Sequence, residues 1–244
     1  MTDLLDNPVW SALAGPHAGL ATGGTQARHY PRDMAPFSAI ANATAAAYAE
    51  LAHDLAPGIE ARLFRLQPET PPPGWEVVSV RPILQMTASE EAILGEEAGI
   101  DVVTLGADDV PEMRELAEIT KPGPFGERTS QLGTYIGIRH AGRLVAMAGE
   151  RMKLPGHAEI SAVCTHPDAR GRGFAGTLTR HLARLIRIRG ERPFLHVFPD
   201  NRHALALYEK LGFRTRAQLF VLWHRPGRTA PLSGAGSARL PARG

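Results

Sequence analysis

Cysteine is almost absent from this chain: Cys164 is the one thiol in 244 residues. That excludes an internal disulfide and any zinc site built from several cysteines. A reducing compartment is the default for such a chain. Lysine is nearly as scarce, at positions 121, 153 and 210 only, so 24 of the 27 cations are arginine. Alanine, glycine and proline are abundant, and genome composition accounts for the arginine bias as readily as a binding partner does. The net charge of +2 is too small to argue for nucleic acid, despite a pI of 8.9. No basic, apolar leader opens the chain; its first ten residues, MTDLLDNPVW, are acidic. No run approaches the roughly 18 apolar residues of a membrane helix. The expectation is a soluble, cytoplasmic protein with neither a nucleic-acid nor a membrane partner. Internal repeats are also missing.

What is present suits a packed core, with 43% hydrophobic and 21% charged residues. The first thirty residues are weakly patterned. Residues 42–55 read as a helix capped by Asn42 or Thr44. Residues 59–66, 75–80 and 83–87 read as strands, the last two split by Pro82. The acidic stretch 89–99 is the best domain boundary. It separates an N-terminal α+β region, 1–98, from a better patterned part, 99–226; the Pro/Gly/Ser/Ala-rich tail 227–244 is expected to be disordered. The second part predicts a strand at 101–105 and a helix at 108–120 with Pro111 in its first turn. A hairpin about Ala141-Gly142 follows, then a strand at 159–165 and a long helix to about 189. A strand at 193–198, a helix at 201–211 and a strand at 219–223 complete the pattern.

The sharpest feature is VCTHPDARGRGFAG, 163–176, between a strand and the long helix. Glycines allow close backbone approach, and a helix N-terminus adds partial positive charge, so this junction suits a pyrophosphate. No Gly-Lys-Ser/Thr follows the glycines, which excludes a P-loop NTPase. Gly171-x-Gly173-x-x-Gly176 matches the dinucleotide fingerprint literally, with Glu191 about twenty residues on. That acid belongs past the end of the second strand, however, and Glu191 precedes its strand.

Arg170-x-x-Gly173-x-Ala175 instead resembles the R/Q-x-x-G-x-G/A signature of the GCN5-related N-acetyltransferases, the GNAT superfamily. The downstream Asn201-x-x-Ala204-x-x-x-Tyr208-Glu-Lys-Leu-Gly212-Phe213 resembles a second motif of that family. The likeness covers about residues 101–225. EISAVCTHP and PFLHV look like the branch that includes glycine N-acyltransferase-like proteins. By the same likeness, residues 1–98 are expected to be a degenerate GNAT-like half.

The resemblance implies an α/β fold: a mixed, mostly antiparallel sheet, flanking helices, and splayed fourth and fifth strands that admit acetyl-CoA. Backbone at Val163, Cys164 and Thr165 would pair with pantetheine. Backbone at Gly171, Arg172, Gly173, Phe174, Ala175 and Gly176 would hold the pyrophosphate, with charge from Arg170 and Arg172. From His166 to Arg216 there are 11 Lys/Arg against 4 Asp/Glu, an excess that suits a phosphate-rich ligand or, equally, a solvated basic helix face. Asn201 would bond the pantetheine amides, serve as an N-cap, or both, and Ala204 would leave room for the cofactor. Tyr208 is the expected general acid for the departing CoA thiolate; as an alternative it is a core side chain on its helix's apolar face. Glu159 and His196 are the candidate general bases, with the family offering no fixed one. Glu159 is expected to share a strand face with Ser161, Val163 and Thr165. Cys164 lacks a nucleophile's partners and reads as a packed residue. Residues 120–129 (TKPGPFGERT) read as an acceptor-facing loop or a plain helix connection. The implied activity is transfer of an acetyl or short acyl group to an amine, on a small molecule or a peptide, without a metal. A non-catalytic acyl-CoA sensor is the alternative, and an NAD-binding dehydrogenase ranks third.

Overall fold

The structure, a computed structural model, describes residues 3–56, 58–89 and 99–227. Pro8–Leu13 forms helix α1, with proline in its first turn where no backbone donor is needed. Strands β1 (Thr22–Gly23), β2 (Ala27–His29) and β3 (Ser38–Ile40) make a small antiparallel sheet. The sequence pattern missed these elements because each is six residues or shorter, too brief for a period to register. Helix α2 (Ala45–Asp54) starts where the Thr44 hydroxyl accepts from the Ala47 amide. The remaining elements are β4 (Ala61–Arg65), β5 (Trp75–Ala88), β6 (Val103–Leu105), α3 (Val110–Thr120), β7 (Tyr135–His140), β8 (Arg143–Leu154), β9 (His157–Thr165), α4 (Phe174–Ile188), β10 (Arg192–Val197), α5 (Arg202–Lys210) and β11 (Phe213–Pro226).

Eight strands join in one sheet, ordered β4-β11-β5-β10-β9-β8-β7-β6. Every described pairing in it is antiparallel except β9 with β10. The sheet runs across the sequence boundary at 98/99, since β4 and β5 lie within it. The expected break at Pro82 does not occur; β5 passes through it, paired to Phe220 of β11. Pairing to β10 begins only at Leu84, so Pro82 sits where β5 is an edge and a missing N–H is tolerated. Strand β11 is also longer than expected, because exposed polar residues such as Arg214 hide its first turns of alternation. Ala141 and Gly142 both have positive φ, 48° and 82°, which matches the twist of the tight β7–β8 hairpin. Residues 90–98 and 228–244, the core of the proposed boundary and nearly all of the tail, lie outside the described residues.

The sheet has a core on each face. Phe174, Leu178, Leu182 and Ile186, four residues apart along α4, bury against Ile136, Ala148, Ile160 and Leu195. Burying each such side chain is worth about 1.5–3 kcal/mol. The opposite face is covered by α1 and the segment from Tyr30 to Phe37, packed on Phe64, Met152 and Phe194. Further along, that face is covered by α3, packed on Tyr135, Met147 and Cys164.

Candidate functional site

The site starts where β9 and β10 part. They are in register for three pairs only, ending at Phe194 opposite Glu159. Beyond that point β10 turns to β5, and β9 runs on to Thr165 with its β10-facing edge unpaired. A bulge lies in this stretch: Ser161 pairs with Gly149 and Cys164 with Met147, so Ala162 and Val163 together oppose Ala148. Ala162 takes the left-handed conformation, φ 53°, which costs a residue with a Cβ about 1–2 kcal/mol. The bulge also reverses the strand's alternation. Ile160 and Val163 pack on the α4 side, whereas Ala162 and Cys164 pack on the α3 side. Glu159 therefore does not share a face with Val163. Cys164 is buried, burial pushes its thiol up to about 11, and it stays protonated.

The glycine-rich turn follows directly. After a short 3-10 turn at Pro167–Ala169, Gly171 and Gly173 adopt φ 77° and 81°. Gly173 is the N-cap of α4 and offers no side-chain cap, so first-turn N–H groups face outward at the positive end of a 15-residue helix. Arg170, Gly171, Arg172 and Gly173 are exposed, and Arg172 lies over the Phe174 ring at 5.3 Å. Ala175 is half-buried and Gly176 buried. A Cβ added at Gly176 would sit 3.5 Å from Leu207, so this turn and α5 stand side by side. The donor set fits a pyrophosphate. Gly173→Asp would add a Cβ and a carboxylate at this mouth. We expect CoA to bind at least tenfold more weakly, about 1.4 kcal/mol, by calorimetry on a protein that still melts cooperatively.

On α5, the Asn201 side chain accepts from the Ala204 amide at 3.2 Å, so it does cap the helix. Its amide nitrogen is left for other partners. Ala204 is half-buried against the α4-side core. Tyr208 is 9% exposed, its ring 6.1 Å from that of Phe213. Burial alone pushes its hydroxyl up to about 12, which keeps the proton in place at neutral pH.

Glu159 and His196 meet, with His196 Nδ1 2.7 Å from Glu159 Oε1, on the face under the N-terminal segment. Both side chains are fully buried. Arg151 grips the same carboxylate through two bonds of 2.6 and 2.7 Å, and its guanidinium lies 4.8 Å from the Phe37 ring centre. Burial would raise the Glu159 carboxyl, but Arg151 and His196 override it and hold the group at about 2. The Gln85 amide reaches His196 Nε2 at 3.1 Å and the Leu5 carbonyl at 2.9 Å. These bonds fit a neutral imidazole protonated on Nδ1. Arg216 orients Gln85 at 2.9 Å and pairs with Asp3 and Asp6. Both candidate bases are thus engaged by buried partners. Arg151, Gln85 and Arg216 were missed in the sequence, where nothing links residues so far apart.

Residues 121–129 are tied to the N-terminal segment. The Arg128 amide donates to the Asp33 carbonyl at 2.8 Å, and the Thr129 hydroxyl to the Met34 carbonyl at 2.5 Å. A Cβ at Gly126 would lie 2.3 Å from the Asp33 carbonyl oxygen. Phe125 is half-buried, edge-on to Tyr135 at 5.8 Å.

Comparison with known proteins separates the phosphate-loop classes. The chain is 33% identical over 131 residues to the N-alpha-acetyltransferase RimI of Mycobacterium tuberculosis, covering 48% of this chain and 82% of that protein. It belongs to the GNAT superfamily. The FR47-like protein family matches residues 135–221 of this GNAT chain. A crystal structure described as a GNAT-family acetyltransferase of Novosphingobium aromaticivorans is 39% identical, with a TM-score of 0.84 over 93% of this chain and all of that one. A GNAT-family acetyltransferase of Colwellia psychrerythraea, 17% identical, shares the fold with a TM-score of 0.50 over 61% of this chain and 56% of that one. The mixed, mostly antiparallel sheet with flanking helices is thus the GNAT fold. The finer likeness to glycine N-acyltransferases rests on EISAVCTHP and PFLHV alone. Among the described residues no cluster of three or more His, Cys, Asp or Glu is placed to hold a metal ion, and no helix is long and apolar enough to cross a membrane.

Proposed function

We propose that this GNAT protein transfers an acetyl group from acetyl-CoA to a primary amine by direct attack. The observation that carries the reading is the parting of β9 and β10 beside an uncapped α4 N-terminus. The open edge of β9 suits pantetheine amides, and the glycine turn suits the pyrophosphate, with Asn201 completing the pantetheine contacts. The amine's lone pair attacks the thioester carbonyl carbon, forming the C–N bond and a tetrahedral oxyanion. Collapse breaks the C–S bond. Tyr208 gives its proton to the departing sulfur and regains one from solvent, and the nitrogen loses its proton to water. Glu159 and His196 are assigned to holding the sheet beneath the gap, because their bonds to Arg151 and Gln85 occupy them. The relative's description as an N-alpha-acetyltransferase favours an α-amino group, on a peptide or a small molecule, as acceptor.

The test is release of CoA thiol from acetyl-CoA across a panel of free-N-terminus peptides, amino acids and alkylamines. Turnover is expected with α-amino acceptors. Tight CoA binding with no turnover on any of them would make the protein an acyl-CoA sensor instead.

A further inference from the structure

Tyr135 carries a hydroxyl that the fold does not use. The residue is 2% exposed, and its oxygen is buried without a hydrogen-bond partner. Leaving a buried hydroxyl unpaired costs stability. Phenylalanine would fill the same space without that cost. The ring's direction is set by Gly149, opposite it on β8: a Cβ there would lie 2.2–2.4 Å from the Tyr135 ring carbons. The ring therefore lies across β8, and its hydroxyl end extends toward β9, where Gly149 pairs with Ser161 at the start of the bulge. Arg151, Glu159, Cys164 and Glu150 all act electrostatically on its hydroxyl. Arg151 and Glu159 are bonded to each other, and neither bonds the Tyr135 oxygen. Edge-on to the ring, 5.8 Å between centroids, sits half-buried Phe125 of the 121–129 loop.

The hydroxyl is thus on the α3 side of the bulged strand, across the sheet from α4 and its glycine turn. We propose that Tyr135 positions the acceptor: its oxygen accepts a hydrogen bond from an N–H of the attacking amine, and so turns the nitrogen lone pair toward the thioester carbon. An amine that uses its lone pair in attack still has N–H groups to donate, and the orphaned oxygen is the complementary acceptor. This inference rests on the transferase reading above.

The experiment is Tyr135→Phe in the full chain, assayed with alanyl-alanyl-alanine or whichever panel amine the wild type turns over fastest. The melting temperature is expected to hold or rise, and acetyl-CoA affinity and KM to stay within twofold. The kcat/KM for the amine is expected to fall at least tenfold. A stabilised Tyr135→Phe protein with wild-type kcat/KM for the amine would overturn the assignment and make the hydroxyl a core defect. If the wild type turns over no amine, the transferase reading fails and this inference with it. If the wild type is active and the variant matches it, only this inference fails.

Discussion

Tyr208→Phe is expected to lower kcat about a hundredfold while KM for acetyl-CoA stays within twofold. A positioned proton donor is worth about 10²–10⁴ in rate. The lower end applies here because a thiolate leaves tolerably well without a proton. The variant keeps the ring that packs on Phe213, so the core is undisturbed. A hydroxyl needed only as the C–S bond breaks shows itself in kcat rather than in ground-state binding. The hydroxyl's proton is held up to about 12, so the donor form persists across the whole working range. Loss of activity at high pH in the wild type should therefore not set in near the ordinary tyrosine value of 10. Steady-state kinetics and a melting curve on one preparation decide the matter: a kcat within threefold of wild type would leave Tyr208 as packing and pass the proton donor's role to water.

Arg151→Leu is expected to be the most destabilising of the substitutions considered, by about 3–5 kcal/mol, because it strands a carboxylate in the interior. Glu159 is fully buried, and after the change His196 is the hydrogen-bond partner left to it among the described residues. For a chain of this size that loss lowers the melting temperature by roughly 6–20 °C. Adding Glu159→Gln to the same chain should recover much of it, since the buried charge is then gone. The acid side of the stability profile carries the same signature. In the wild type the Glu159 carboxyl is depressed from its ordinary 4.5 to about 2. The group then contributes stability that is complete above pH 4.5 and is lost as pH falls toward 2. In Arg151→Leu burial is expected to outweigh the remaining His196 bond and raise the carboxyl, so acid relieves the variant. The gap in melting temperature between the two proteins should narrow from pH 7 to pH 5, measured by calorimetry. A gap that widens on acidification would show that Glu159 is not the stranded charge.

The sequence by itself determined what depends on neighbours along the chain. The turn Arg170-x-x-Gly173-x-Ala175 is legible because left-handed glycines and a helix start are local backbone chemistry, and they stand in the structure with φ 77° and 81°. Asn201 as a cap, Thr44 as a cap, the Ala141-Gly142 turn and the apolar stripe of α4 are legible for the same reason. The tertiary structure decided whatever depends on which strands meet. An alternating pattern over 159–165 implies one face, yet the bulge at Ala162 flips it, because the shift exists only in the pairing with β8. Pro82 reads as a break but is harmless, since β10 does not reach that far along β5. Glu159 and His196 look free in the sequence; Arg151, Gln85 and, through Gln85, Leu5 and Arg216 engage them only once the sheet is assembled. Tyr135 gave no signal at all, for its interest lies in a missing partner, and a missing hydrogen bond becomes visible only when every neighbour is in place.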